Sequence, residues 1–194
     1  FMAGRQPRPL HARTIMNTAP QRYTGPAIAA HWIIALLIIA AWPLGVYMHE
    51  LPLSPEKLKL YAYHKWIGVT VLLLFVPRIL WRVTHRPPAP LPMPAWQHKV
   101  AEGTHHLLYL LMVLVPLSGW LMSSAKGFQT VYFGVLPLPD LVGKNPELGD
   151  LLKETHEALN FALLLLVGLH VAGALKHHLI DRDSTLRRML PFGR

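Results

Sequence analysis

HEALNFALLLLVGLHVAGALKHHL, residues 156–179, decides how this chain is read. It forms most of an apolar run from about Lys153 to Leu179, and roughly 20 helical residues at about 1.5 Å each cross the hydrocarbon core of a bilayer. The run nevertheless carries His156 and His170, ionisable groups that are expensive at membrane depth and face a bundle interior with a partner. They stand two heptads apart, so both rings share one face, separated by about 21 Å along the helix axis. That face has two levels, and each level needs a partner from another helix.

Three further runs have spanning length: Ile28 to Met48 with His31 near its start, Tyr61 to Val83 with His64 and Lys65 at one end, and Thr104 to Ser123 with His106 at its start. Continuous apolarity over such lengths predicts helices in lipid rather than core strands. Pro43, Pro77 and Pro116 fall inside three of the spans, which bundled membrane helices tolerate. The fold class is therefore all-α, an integral membrane four-helix bundle, with the membrane domain over residues 23–190. Residues 1–22 read as a basic, proline-rich tail rather than a secretory signal, and residues 191–194 as a short C-terminal tail.

Positive charge sets the expected orientation. Thirteen Lys and Arg residues fall in the N-terminal tail, around the connection between spans two and three, and at the C-terminal end; the opposite face has six. Both termini are then cytoplasmic by the positive-inside rule. The net charge of +9 reads as this topology signal rather than as nucleic-acid binding. Arg86 to Trp96 is dense in proline and predicts a stiff connector. Ala125 to Leu152 is the longest connection and reads as a partly ordered cap over the outer end of the bundle.

The 194 residues include no cysteine, which excludes a disulfide framework, c-type haem attachment, iron–sulfur clusters and thiolate zinc sites. Twelve histidines remain as the nitrogen ligands. Topology pairs the deep ones. The second span runs inward, so His64 begins at the outer level, opposite His156. The first runs outward, so His31 begins at the cytoplasmic level, opposite His170. Two facing imidazoles across a bundle make the axial cage of a non-covalent b-type haem, and two such cages predict two haems stacked across the membrane. His106 is an alternative to His31, and His49 to His64. Gly68, Gly168 and Gly173 lie near these histidines and would admit a flat macrocycle or close helix packing. Arg78 is on the His64 face at the cytoplasmic level, a partner either for haem propionates or for lipid phosphates. His177, one heptad beyond His170, is a candidate contact for a quinone or a propionate.

The stretches Arg22-Tyr23, His31-Trp32, Tyr63-His64-Lys65-Trp66-Ile67-Gly68, Thr155-His156-Glu157, Gly168-Leu169-His170, Ala174-Leu175-Lys176-His177-His178 and Asp183-Ser184-Thr185-Leu186-Arg187-Arg188-Met189-Leu190 together resemble the bacterial cytochrome b561 family. The resemblance covers about Arg22 to Leu190 and is most specific from His156 onward. It implies a multi-pass dihaem cytochrome of the bacterial inner membrane. In it, His31 and His170 ligate the cytoplasmic haem, His64 and His156 the periplasmic one, and a quinone sits near His177. It also implies superoxide:ubiquinone oxidoreductase chemistry, with superoxide as donor and ubiquinone as acceptor.

An anionic donor calls for positive potential near the outer haem. The outer face, however, carries seven acidic residues against its six lysines. Steering would have to come from a local cluster, with Lys65 and Lys153 beside the ligands and Lys57, Lys59 or Lys126 near them. Two other readings compete: an electron relay between the quinone pool and a separate periplasmic redox protein, and a transporter using histidines for protons or divalent metal.

Overall fold

The structure, a computed structural model, describes residues 22–192. The positive charges counted at Arg5, Arg8 and Arg13 in the N-terminal tail, and at Arg194, lie outside the described residues. Four long helices dominate: α1 (Gly25–Glu50), α2 (Pro55–Thr84), α3 (Ala95–Ala125) and α4 (Pro146–Leu179). Each is long and apolar enough to cross a membrane. They alternate in direction. The two described chain ends and the α2–α3 connector share one side, called here the terminus side. The α1–α2 and α3–α4 connections share the other, the loop side.

Three of the helices begin well before the apolar runs do, and in α2 and α4 polar caps rather than apolarity start them. Ser54 accepts a hydrogen bond from the Lys57 amide (3.2 Å) with Pro55 in the first turn, and Asn145 accepts from the Leu148 amide (3.1 Å) with Pro146 in the first turn. Proline suits the first helical position, where no intrahelical amide bond is lost. Helix α3 starts at Ala95, directly after Pro94. The caps therefore lengthen α2 and α4 beyond the hydrocarbon core.

Close packing joins α1 to α2, α2 to α3 and α3 to α4, whereas α1 and α4 stand further apart. Two apolar clusters fill the middle. Ile34, Val71 and Met112 knit α1, α2 and α3. Leu111, Val115 and Leu163 knit α3 to α4, with Ile38 of α1 against them. The outer faces stay apolar and open, as at Leu36, Leu73 and Phe161, which is the surface a helix presents to lipid.

The α3–α4 connection is ordered throughout rather than in part. Val131–Tyr132 (β1) pairs antiparallel with Leu136–Pro137 (β2) across a turn in which Phe133 and Gly134 both adopt positive φ. The hairpin is pinned to α2 by Trp66 Nε1 donating to the Val131 carbonyl (2.7 Å) and by the Thr70–Tyr132 hydroxyl pair (2.9 Å). It is pinned to α3 by Trp120 Nε1 donating to the Pro139 carbonyl (3.1 Å) and by Leu141 N donating to the Ser124 hydroxyl (3.2 Å). The connector after α2 has no helix or strand until Ala95, in keeping with its prolines.

On the terminus side the C-terminal segment folds back as a latch. Trp32 Nε1 donates to the Met189 carbonyl (2.8 Å), Arg22 to the Leu190 carbonyl, and Arg188 to the Ala89 carbonyl (2.7 Å). Asp183 anchors the latch to α4: its carboxylate accepts from His177 Nδ1 (2.7 Å) and from the Thr185 amide (2.7 Å). Partial burial pushes this carboxyl up, but the bonds from Thr185 and His177 outweigh it and hold it below the ordinary carboxylate range.

Two outcomes follow. Asn145→Ala is expected to destabilise the protein by about 1 kcal/mol, the usual worth of an N-cap, as a lowered midpoint in thermal unfolding in detergent. Because Asp183 has a depressed folded pKa, its contribution is complete above the unfolded value of about 4 and is lost as pH falls through the lower folded value. Protection factors of residues 184–190 in hydrogen exchange, which correct for the intrinsic pH dependence, should therefore fall on acidification in the native protein and be low already at neutral pH in Asp183→Asn.

Candidate functional site

The alternating helices bring four of the histidines together in two pairs. On the terminus side His31 (α1) and His170 (α4) have ring centres 6.0 Å apart, with planes at 65°. On the loop side His64 (α2) and His156 (α4) have ring centres 6.2 Å apart, with planes at 85°. A metal–imidazole distance of about 2 Å plus about 1.2 Å from nitrogen to ring centre puts two axial imidazoles about 6.3 Å apart. Both pairs have that spacing. They sit at opposite ends of the bundle with the mid-bundle apolar clusters between them.

The loop-side pair is seated by two similar cradles. His64 Nδ1 donates to the Ala41 carbonyl (3.1 Å), and its ring lies on Gly45, where a Cβ would approach Cε1 to 3.2 Å. His156 Nδ1 donates to the Val115 carbonyl (3.0 Å) and to Ser118 Oγ (2.9 Å), and its ring lies on Gly119, where a Cβ would come within 3.0 Å. In each cradle the accepting carbonyl precedes the glycine by one helical turn, and a proline, Pro43 or Pro116, stands between them. With Nδ1 engaged as a donor, Nε2 keeps the lone pair that a metal needs. Sequence reasoning missed Gly45, Gly119 and Ser118. Of the glycines it chose, Gly68 packs α2 against Pro116 Cβ at 3.6 Å, and Gly168 and Gly173 meet no described side chain.

The terminus-side pair has different company. The Arg78 guanidinium lies 3.3 Å from His31 Nδ1 and 5.5 Å from the Tyr109 ring, and its buried Nε has no hydrogen-bond partner. The α3 histidine at this level is His105, with its ring 5.2 Å from that of His170. His105 and His106 are both exposed at the surface, as is His49 at the end of α1, and of the three it is His105 whose ring packs on a paired histidine. A periodicity count would have found the difference, since the inward positions Leu108, Met112 and Val115 fall on the His105 stripe. His177 does not reach either pair's hydrogen bonds; it is tied to Asp183 and lies 3.2 Å from Asp181.

The lysines on the loop side are largely committed. Lys126 pairs with Asp150 (3.1 Å), Lys153 with Glu157 (3.6 Å), Lys57 donates to the His49 and Leu51 carbonyls, and Lys65 donates to the Phe128 carbonyl (3.0 Å). Lys65 and Lys153 do sit beside the histidines, as their sequence neighbours require. Lys59 and Lys144 have no acidic partner among the described residues.

The cradles make a testable distinction. Gly119→Ala forces a methyl against the His156 ring, and overpacking of this kind costs about 1–3 kcal/mol. Gly68→Ala meets only ordinary contact and gains up to about 1 kcal/mol of helix propensity. Thermal unfolding should therefore rank Gly68→Ala above the native protein and Gly119→Ala below it.

Comparison with known proteins places this geometry. A family model described as prokaryotic cytochrome b561 matches residues 22–192. Cytochrome b561 homolog 2 of Escherichia coli (strain K12) is 35% identical over 182 residues, covering 90% of this chain and 94% of that protein. The probable superoxide oxidase CybB of Yersinia pestis is 30% identical over 182 residues, covering 88% and 97%. Cytochrome b562 of Cereibacter sphaeroides is 30% identical over 174 residues, covering 87% and 94%. Four apolar spans and paired histidines are what a membrane cytochrome with b-type haem requires. The chain belongs to the prokaryotic cytochrome b561 family, as a multi-pass protein of the bacterial inner membrane that carries electrons across the bilayer.

Proposed function

We propose that the protein is a dihaem superoxide:ubiquinone oxidoreductase, with His31 and His170 as axial ligands of one b-type haem and His64 and His156 as those of a second. The observation that carries this reading is the pair of imidazole facings, 6.0 and 6.2 Å between ring centres, at opposite ends of one bundle. The positive-charge bias puts the terminus side, with both chain ends, in the cytoplasm and the loop side in the periplasm. The name of the Yersinia pestis relative, probable superoxide oxidase, supports the choice of donor.

The bound haem supplies one-electron chemistry, and two histidines on each iron leave no open position for oxygen. The protein's part is to hold and orient. The Ala41, Val115 and Ser118 oxygens fix the loop-side rings with Nδ1 protonated and Nε2 free. Ile34, Ile38, Leu111, Val115 and Leu163 exclude water from the span between the two levels. On the terminus side, Asp183 holds the proton of His177 on Nδ1 and leaves Nε2 as a contact for ubiquinone and a route for its protons. The balance is two superoxide anions oxidised to dioxygen while one ubiquinone takes two electrons and two protons to become ubiquinol.

A second reading keeps the haems and changes the donor: a periplasmic redox protein delivers the electrons and the chain relays them to quinone. The carboxylates that neutralise Lys126 and Lys153 favour it, since they weaken the positive field a superoxide anion would follow. Membership of an electron-carrying family leaves the proton or metal transporter without support.

Pulsed superoxide given to protein reconstituted with ubiquinone separates the two readings. Fast haem reduction followed by ubiquinol formation is the expected result; failure of both haems to reduce on the pulse timescale would leave the relay. In the same preparation His156→Ala is expected to abolish the superoxide response. His170→Ala should remove one of two haems per chain in the reduced-minus-oxidised spectrum, and retention of both would sink the ligand assignment.

A further inference from the structure

Every charged or hydrogen-bonding side chain around the His31–His170 pair is a donor. Arg78 lies beside His31, and its buried Nε is without a partner. Arg82 is one turn further along α2, on the same face. His105 in turn packs on His170. No Asp or Glu pairs with Arg78, Arg82 or His105 among the described residues. The contact between Arg78 and His31 cannot complete the set. An imidazole that ligates through Nε2 carries its proton on Nδ1, so the guanidinium and that nitrogen would both be donors.

Arg78, half-buried with a buried Nε that nothing pairs, calls for an anion, and the exposed Arg82 and His105 stand at the open edge of the same end of the bundle. The loop-side pair has no counterpart: no arginine is present in the α1–α2 or α3–α4 connections, and the adjacent Lys65 and Lys153 already have partners. Haem b carries two carboxylates on flexible arms. Two guanidinium groups and an imidazole match that charge, and arginine binds carboxylates with two parallel bonds.

We propose that Arg78, Arg82 and His105 form a carboxylate-binding cluster that holds the propionates of the haem clasped by His31 and His170. This extends the role considered for Arg78 alone to a three-residue set on two helices, and it rests on the axial reading above. His105 is here a positioning residue for the cofactor and not an iron ligand. Its 5.2 Å ring separation from His170 is shorter than two axial imidazoles allow. The cluster also makes the two haem sites unequal, because nearby positive charge favours the reduced, more negative cofactor on this side.

The test compares haem with its dimethyl ester, in which both carboxylates are blocked, by Soret titration of haem-depleted protein. His156→Ala serves as background, so that only the terminus-side site is read. Native cluster residues are expected to favour haem over the ester by at least about tenfold, the worth of one or more charge-assisted hydrogen bonds. Arg82→Gln with His105→Gln, which leaves Arg78, should cut that preference at least severalfold while the low-spin two-histidine spectrum survives. In the otherwise native chain the same variants should lower the potential of the terminus-side haem and leave the loop-side haem in place, which also reports a folded bundle. Equal binding of haem and ester by the native cluster would overturn the proposal, as would a preference undiminished in the variants, which would assign the guanidinium groups to lipid phosphates. Loss of the low-spin spectrum in His105→Gln alone would make His105 an iron ligand and overturn it too. Retention of two haems by His170→Ala, by contrast, would remove the axial reading on which it stands.

Discussion

A neutral imidazole at membrane depth has two nitrogens to satisfy and no water to satisfy them, and the whole architecture follows from that constraint. On the loop side one nitrogen of each ring is met by a helix carbonyl, from Ala41 or Val115, and the other faces its counterpart across a gap. No described protein group closes that gap, and on the proposed reading a haem iron would. The helix order, the wider separation of α1 from α4, and the confinement of the apolar clusters to the middle of the bundle all serve to keep two such gaps open, one at each end.

The glycine cradles show how the backbone supports this chemistry. A ring that must bond to a carbonyl has to lie flat along the helix that offers it, and a side chain one turn further on would stand in its way. Glycine at 45 and 119 removes that obstacle. Ser118 adds a second acceptor for His156 that His64 lacks, so the two ligands of one site are held with unequal strength.

The spans and the pairing of His31 with His170 and His64 with His156 were legible from the sequence, because they depend only on length, direction and a two-heptad spacing. What was not legible depends on helix rotation. His105 and His106 are adjacent and about 100° apart around α3; choosing between them needs a second inward reference on that helix, and the Leu108, Met112 and Val115 stripe supplies it. The same holds for the glycines. Gly68 is next to His64 in sequence but turns to Pro116, whereas Gly45 and Gly119 belong to other helices and reach the rings only through tertiary packing. The early helix starts at Pro55 and Pro146 were written in Ser54 and Asn145, a capping signal that apolarity does not register.

The two ends of the bundle differ in charge, and that difference bears on direction. Around His31 and His170 the described side chains are cationic or neutral donors without a carboxylate partner, while around His64 and His156 lysine is balanced by Asp150 and Glu157 or bonded to backbone. At equal ligation, an electron is more stable at the end with uncompensated positive charge. Propionates bound there would offset part of this field but not reverse it, since they meet two arginines and an imidazole. On the proposed dihaem reading, an electron entering on the loop side would move downhill toward the terminus side. The charge bias that orients the helices by the positive-inside rule would then also give the electron its direction, with the arginines of α2 contributing to both.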